Sequence, residues 1–113
     1  MNINCIITGA TDGIGRQTSI ELAEKGYNLG LVGRNKEKGE KVVKEIIAMT
    51  GNQSIKFFNA DLSVLKNIKK LTIDIKNEYS SIDIFINNAG AYFSNYIDTE
   101  EELEKTFALN HLS

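Results

Sequence analysis

The chain contains no proline, one cysteine, one histidine and no long apolar run. The lone cysteine, Cys5, excludes an internal disulfide, and its place in an apolar run marks it as a small buried packing residue. One cysteine with one histidine, His111, leaves too few ligands to suggest a metal site. No stretch approaches the roughly 18 apolar residues that would cross a bilayer, so no membrane segment is expected. The amino terminus lacks the charged-then-apolar pattern of a secretory signal, since strand-like residues begin at Ile3. These absences make the cytoplasm the expected location. The formal net charge of −2 and the pI near 5.4 give no footing for nucleic-acid binding. The missing proline, set beside abundant isoleucine, asparagine and lysine, reads as the coding bias of an AT-rich genome and carries little functional meaning.

What is present is ordinary in amount and informative in order. The 113 residues make one domain or part of one. Strand-like and helix-like segments alternate along them. Ile3–Thr8 reads as a strand. Ile14–Lys25 reads as an amphipathic helix with Ile14, Thr18 and Leu22 on one face, capped by Gly26. Asn28–Gly33 is a second strand, Lys36–Met49 a charged helix closed by Gly51, and Ile55–Asn59 a third strand. Val64–Tyr79 carries apolar residues at helical spacing, and Ser63 is at least as good a candidate for its N-cap as Asp61, for which the cap is the plainer alternative role. Ile82–Asn87 is a fourth strand, and Thr99 opens a further helix, with Glu102 completing a capping box. The strands are apolar throughout, as in a sheet covered on both faces. The expected fold is therefore α/β: a Rossmann-type doubly wound parallel sheet, its first four strands in the order 3-2-1-4 with flanking helices, and incomplete.

Between the first strand and the first helix lies Thr8-Gly9-Ala10-Thr11-Asp12-Gly13-Ile14-Gly15. Bare backbone at Gly9, Gly13 and Gly15 lets a pyrophosphate approach, and the helix N-terminus offers free N–H groups and the positive end of its dipole. The alternative is a tight strand–helix turn with no ligand. After the second strand, where an acid would hold ribose hydroxyls and repel a 2′-phosphate, stands Gly33-Arg34-Asn35-Lys36. A guanidinium there can hold a phosphate by paired hydrogen bonds, which favours NADP(H) over NAD(H); a solvated loop arginine is the plainer alternative. Asp61, after the third strand, can accept from an adenine amino group. Asn87-Asn88-Ala89-Gly90, after the fourth, is small enough to let a ribose approach, or is simply a polar turn.

Together these segments resemble the short-chain dehydrogenase/reductase family. The resemblance covers the whole chain: Thr8 to Gly15, Asp61-Leu62, Asn87-Asn88-Ala89-Gly90 and Asn110 occur in order at family-like spacing. Gly33 to Glu40 and Leu109-Asn110-His111-Leu112 are similar to the retinol-dehydrogenase and protochlorophyllide-reductase side of that family. The resemblance implies that Gly9, Thr11, Gly13, Ile14 and Gly15 line the pyrophosphate. Arg34 and Asn35 would meet the 2′-phosphate, Asp61 and Leu62 the adenine, and Asn88, Ala89 and Gly90 the ribose. Asn110 would be the asparagine of the catalytic tetrad, ordering a water in a proton relay. His111 has no family role and reads as a packing or hydrogen-bonding residue.

The reaction this implies is hydride transfer between NADP(H) and a small carbonyl or alcohol substrate. It uses a tyrosine as proton donor or acceptor, a lysine in a Tyr-x-x-x-Lys segment that lowers the tyrosine pKa, and a serine that polarises the carbonyl oxygen. The sequence has no Tyr-x-x-x-Lys: four residues after Tyr27, Tyr79, Tyr92 and Tyr96 stand Leu31, Asp83, Tyr96 and Glu100. The last residues read as mid-helix, and the fourth strand would be left an uncovered apolar edge. The expectation is thus an amino-terminal, NADP(H)-binding half, residues 1–113, truncated in the helix after strand four and inactive alone. It would take a substrate only when the missing half is supplied, and its parent enzyme could be a homo-oligomer. The alternative is a complete, non-catalytic NADP(H)-binding or interaction module.

Overall fold

The computed structural model describes residues 3–11, 13–61, 64–87 and 90–91. The elements run β1 (Asn4–Thr8), α1 (Gly13–Glu24), β2 (Asn28–Gly33), α2 (Lys36–Thr50), β3 (Ile55–Asn59), α3 (Leu65–Glu78), β4 (Ile84–Asn87) and β5 (Gly90–Ala91). The sheet order is β3-β2-β1-β4-β5. The first four strands are parallel, with Cys5 opposite both Leu29 and Ile84, and Leu29 opposite Ile55. The expected order 3-2-1-4 is therefore what forms.

Alternation along the strands feeds two separate cores. Cys5, Ile7, Leu29 and Leu31 face one side, where they pack with Ile20 and Ala23 of α1 and Val42 and Ile46 of α2. Ile6, Val32 and Phe85 face the other, against Ile68, Leu71 and Ile75 of α3. The chain changes sheet direction at β1, so helices cover both faces and the crevice above β1 is left open, as in other doubly wound sheets. Cys5 is fully buried, and burial pushes its thiol up to about 12. It is a protonated packing residue, as the sequence implied.

Three expectations change in detail. The buried face of α1 is Gly15, Ser19, Ile20 and Ala23, while Ile14 is 82% exposed. Small residues at four-residue spacing let this helix lie close on the sheet, and a stripe beginning at Ile14 would hold it off. Neither Asp61 nor Ser63 is the N-cap of α3. The cap position is Val64, with no side-chain hydrogen bond, and its N–H donates to the Asp61 carbonyl at 3.2 Å; Ser63 lies outside the described residues. The end of β4 is not a bare edge, because β5 pairs with it antiparallel, Ile86 with Ala91 and Asn87 with Gly90. The helix expected from Thr99 lies outside the described residues.

Candidate dinucleotide site

Parallel strands all point the same way, so the segments after β1, β2 and β3 gather at one end of the sheet. Backbone hydrogen bonds lock them side by side. The Gly9 N–H donates to the Val32 carbonyl at 3.1 Å, and the Ala60 N–H donates to the Gly33 carbonyl at 2.8 Å. Thr11 lies over the end of β2: a Cβ placed on Gly33 would sit 3.3 Å from the Thr11 Cγ2. Gly9, Thr11, Arg34 and Asp61, far apart in sequence, thus share one rim.

The glycine turn combines left-handed backbone with open space. Gly9 and Gly13 adopt φ of 62° and 49°, in the left-handed region that side chains disfavour. A Cβ built on Gly13 would meet nothing within 4 Å among the described residues beyond its own turn, so the backbone there faces open space. Gly15 is buried against the sheet and its carbonyl accepts from the Ser19 hydroxyl at 2.7 Å, which fixes the first turn of α1. That turn carries no acidic side chain. Its dipole is thus not offset from within the turn, the arrangement that favours an incoming anion. Exposed Ile14 stands beside it.

The cations near the turn have distinct employments. Arg16, immediately after Gly15, reaches sideways to Glu45 on α2 at 2.6 Å. The Arg16 hydrogen bond holds the Glu45 carboxyl below its usual range, and the pair fastens α1 to α2. Arg34 makes no ion pair with another described residue and is exposed. It lines a groove of about 270 Å³ together with Asn59, Asp61, Asn67, Lys70 and Asp74. The Arg34 guanidinium and the Asp61 carboxylate therefore line one groove.

Asn35 is the N-cap of α2: its side-chain oxygen accepts from the Lys38 N–H at 3.0 Å. That bond uses the oxygen and leaves the NH2 end as the part that could meet a phosphate. Gly90 is described only as backbone in β5. Leu62, Asn88, Ala89 and Asn110 lie outside the described residues. Sequence reasoning missed Asn59, Asn67, Lys70 and Asp74. The last three recur at helical spacing with Leu71 on α3, a signal that could have marked a polar rim beside the apolar stripe.

A larger cavity, about 500 Å³, lies at the amino ends of the strands, between Asn4, Asn28, Lys56 and Ser81. Its amides bind one another, Asn28 Nδ2 donating to Asn4 Oδ1 and Asn4 Nδ2 to the Ser81 carbonyl, both at 2.9 Å. It tethers strand ends and touches none of the glycine turn. Among the described residues, no cluster of His, Cys, Asp or Glu could hold a metal, and no helix is long and apolar enough to cross a membrane.

The family described as short chain dehydrogenase matches residues 4–113. Human retinol dehydrogenase 13 is 41% identical over 107 residues, covering 95% of this chain and 32% of that protein. The structure of the Escherichia coli oxidoreductase yciK superposes with a TM-score of 0.71 at 36% identity, covering 78% of this chain and 36% of the other. The Pseudomonas aeruginosa RhlG/NADP active-site complex superposes with a TM-score of 0.70 at 25% identity, covering 79% and 35%. The chain spans about a third of the length of the curated relatives it matches.

Proposed function

Since this chain belongs to the short chain dehydrogenase family, we propose that it binds NADP(H) in preference to NAD(H). In this reading it forms the dinucleotide half of an oxidoreductase acting on a carbonyl or alcohol. The observation that carries the cofactor preference is Arg34 at the end of β2, where it makes no ion pair with another described residue and shares a groove with Asp61. An acidic residue at that position would repel a 2′-phosphate, whereas a guanidinium attracts it.

The chain's own residues divide the work. Gly9 and Gly13, at positive φ, keep side chains out of the path of the pyrophosphate, and the first turn of α1 presents N–H donors to it. Thr11, held over the end of β2, closes the turn from the side. Ile14 covers the pyrophosphate with apolar surface, and Asp61, with Leu62 beside it, accepts from the adenine amino group. Asn35 lends its NH2 end next to Arg34. Asn88, Ala89 and Gly90 let the ribose come close. Asn110 orders the water of the proton relay. The bound dinucleotide supplies a hydride to the substrate carbon or receives one from it. The partner proton would pass through a tyrosine–lysine pair, and these 113 residues contain no Tyr-x-x-x-Lys.

The test is an equilibrium titration with NADPH and NADH. The chain has no tryptophan, so cofactor emission is read without energy transfer from indole. NADPH should bind at least tenfold more tightly, and Arg34→Asp should reverse the order. A preference for NADPH that survives Arg34→Asp would show that Arg34 does not read the phosphate.

A further inference from the structure

We infer that Asn59 is a positioning residue for Arg34 and thereby sets how strongly the groove selects a 2′-phosphate. The inference rests on the reading of Arg34 as the phosphate-binding cation.

Asn59 ends β3, two residues before Asp61, and lines the same groove as Arg34. The carbonyl oxygens of Gly33 and Arg34 both lie 3.2 Å from one terminal atom of its side-chain amide. Two acceptors demand a donor, so that atom is the NH2 nitrogen, whose two hydrogens suit two carbonyls. The two carbonyls flank the Arg34 residue, one before its nitrogen and one after its Cα. The amide therefore brackets the Arg34 backbone and fixes the direction in which its side chain leaves. The Gly33 carbonyl also accepts from the Ala60 N–H at 2.8 Å, which anchors one of the two points to the sheet.

Arg34 itself forms no ion pair with a described residue, so its aim depends on the backbone beneath it. A long cation held in the right direction loses less freedom when it meets a phosphate. Asn59 spends its NH2 on the two carbonyls and acts through Arg34.

The experiment is a double-mutant cycle in the full-length protein, read as dissociation constants for adenosine 2′,5′-bisphosphate and 5′-AMP. Asn59→Leu removes the donor without adding charge. It should weaken the bisphosphate by about three- to tenfold, the span of one or two modest hydrogen bonds, and leave 5′-AMP within about twofold. In an Arg34→Ala background, Asn59→Leu should produce no further loss, because there is no guanidinium left to aim. Asn59→Ala carries the same comparison should the leucine variant fold poorly. Equal weakening of both ligands, or losses that simply add, would overturn the inference while the Arg34 reading stands. A wild-type protein with no preference for the bisphosphate would overturn the Arg34 reading and this inference with it.

Discussion

Gly13→Ala separates the binding role of the glycine turn from its folding role. Among the described residues outside its own helix turn, a methyl group at this position meets no atom within 4 Å, so packing does not oppose it. The backbone does, because φ is 49°. Holding alanine in the left-handed region costs about 1–2 kcal/mol, and restricting the unfolded chain returns about 0.4–1 kcal/mol of that. The net loss is about 1 kcal/mol, a fall in Tm of roughly 4–8 °C for a domain near this size. Cofactor binding should suffer more. The new methyl projects into the open space that the pyrophosphate is proposed to fill, and removing one charge-assisted backbone contact costs about 1.5–3 kcal/mol. That corresponds to a dissociation constant roughly 10- to 150-fold higher. Thermal unfolding without ligand and a titration with NADPH measure the two effects on the same sample. A variant that keeps wild-type affinity for NADPH would refute the placement of the pyrophosphate over Gly13. A variant that fails to fold would refute the claim that the space beside Gly13 is open.

Gly39 should behave in the opposite way. A Cβ there would overlap the Phe57 Cδ1, Cε1 and Cζ atoms, so Gly39→Ala should destabilise by about 1–2 kcal/mol even after the gain in helix propensity. Adding Phe57→Leu should return most of that in urea unfolding, and no recovery would show that the ring is not the obstacle. On the alkaline side, burial raises the Cys5 thiol from 9.0 to about 12 and the Tyr79 phenol from 10.0 to about 12. The folded state then keeps protons that the unfolded state has lost, so stability is full below pH 9 and falls between pH 9 and 12. Cys5→Ala should delay the onset of that fall to about pH 10 in urea midpoints measured against pH; an unchanged onset would show that the thiol is not what couples folding to pH. Native Cys5 should also resist alkylation at pH 8 and react once the chain is unfolded, and rapid native labelling would contradict its burial.

Much of the fold was legible because each segment carried its own signal. Apolar runs at Asn28–Gly33 and Ile55–Asn59 bounded two strands that form with those limits. Gly51 was identified as the end of α2 and takes φ of 76° there. The first helix was found, but its buried face was assigned by hydrophobicity alone, which selected Ile14. Close approach to the sheet instead selects Gly15, Ser19 and Ala23, because distance between backbones decides which face is inward. Asp61 and Ser63 were the cap candidates because their residue types favour that position, but Val64 is the cap and the helix begins at Leu65. Asn59 was invisible for a different reason. Its meaning lies in two carbonyls that are distant in sequence, and these come within reach only once β2 and β3 pair. Charge placement was legible in part: the position of Arg34 directly after β2 followed from the strand pattern, whereas the engagement of Arg16 with Glu45 needed the packing of α1 on α2.

In the proposed function, the end of the sheet above β1, β2 and β3 holds NADP(H), with the 2′-phosphate on Arg34. A crystal structure of the protein with NADP+ tests it most directly. The pyrophosphate should lie over the turn from Gly9 to Gly15, the Arg34 guanidinium within hydrogen-bond distance of the 2′-phosphate, and adenine beside Asp61. A dinucleotide bound elsewhere, or bound here with Arg34 turned to solvent, would contradict it.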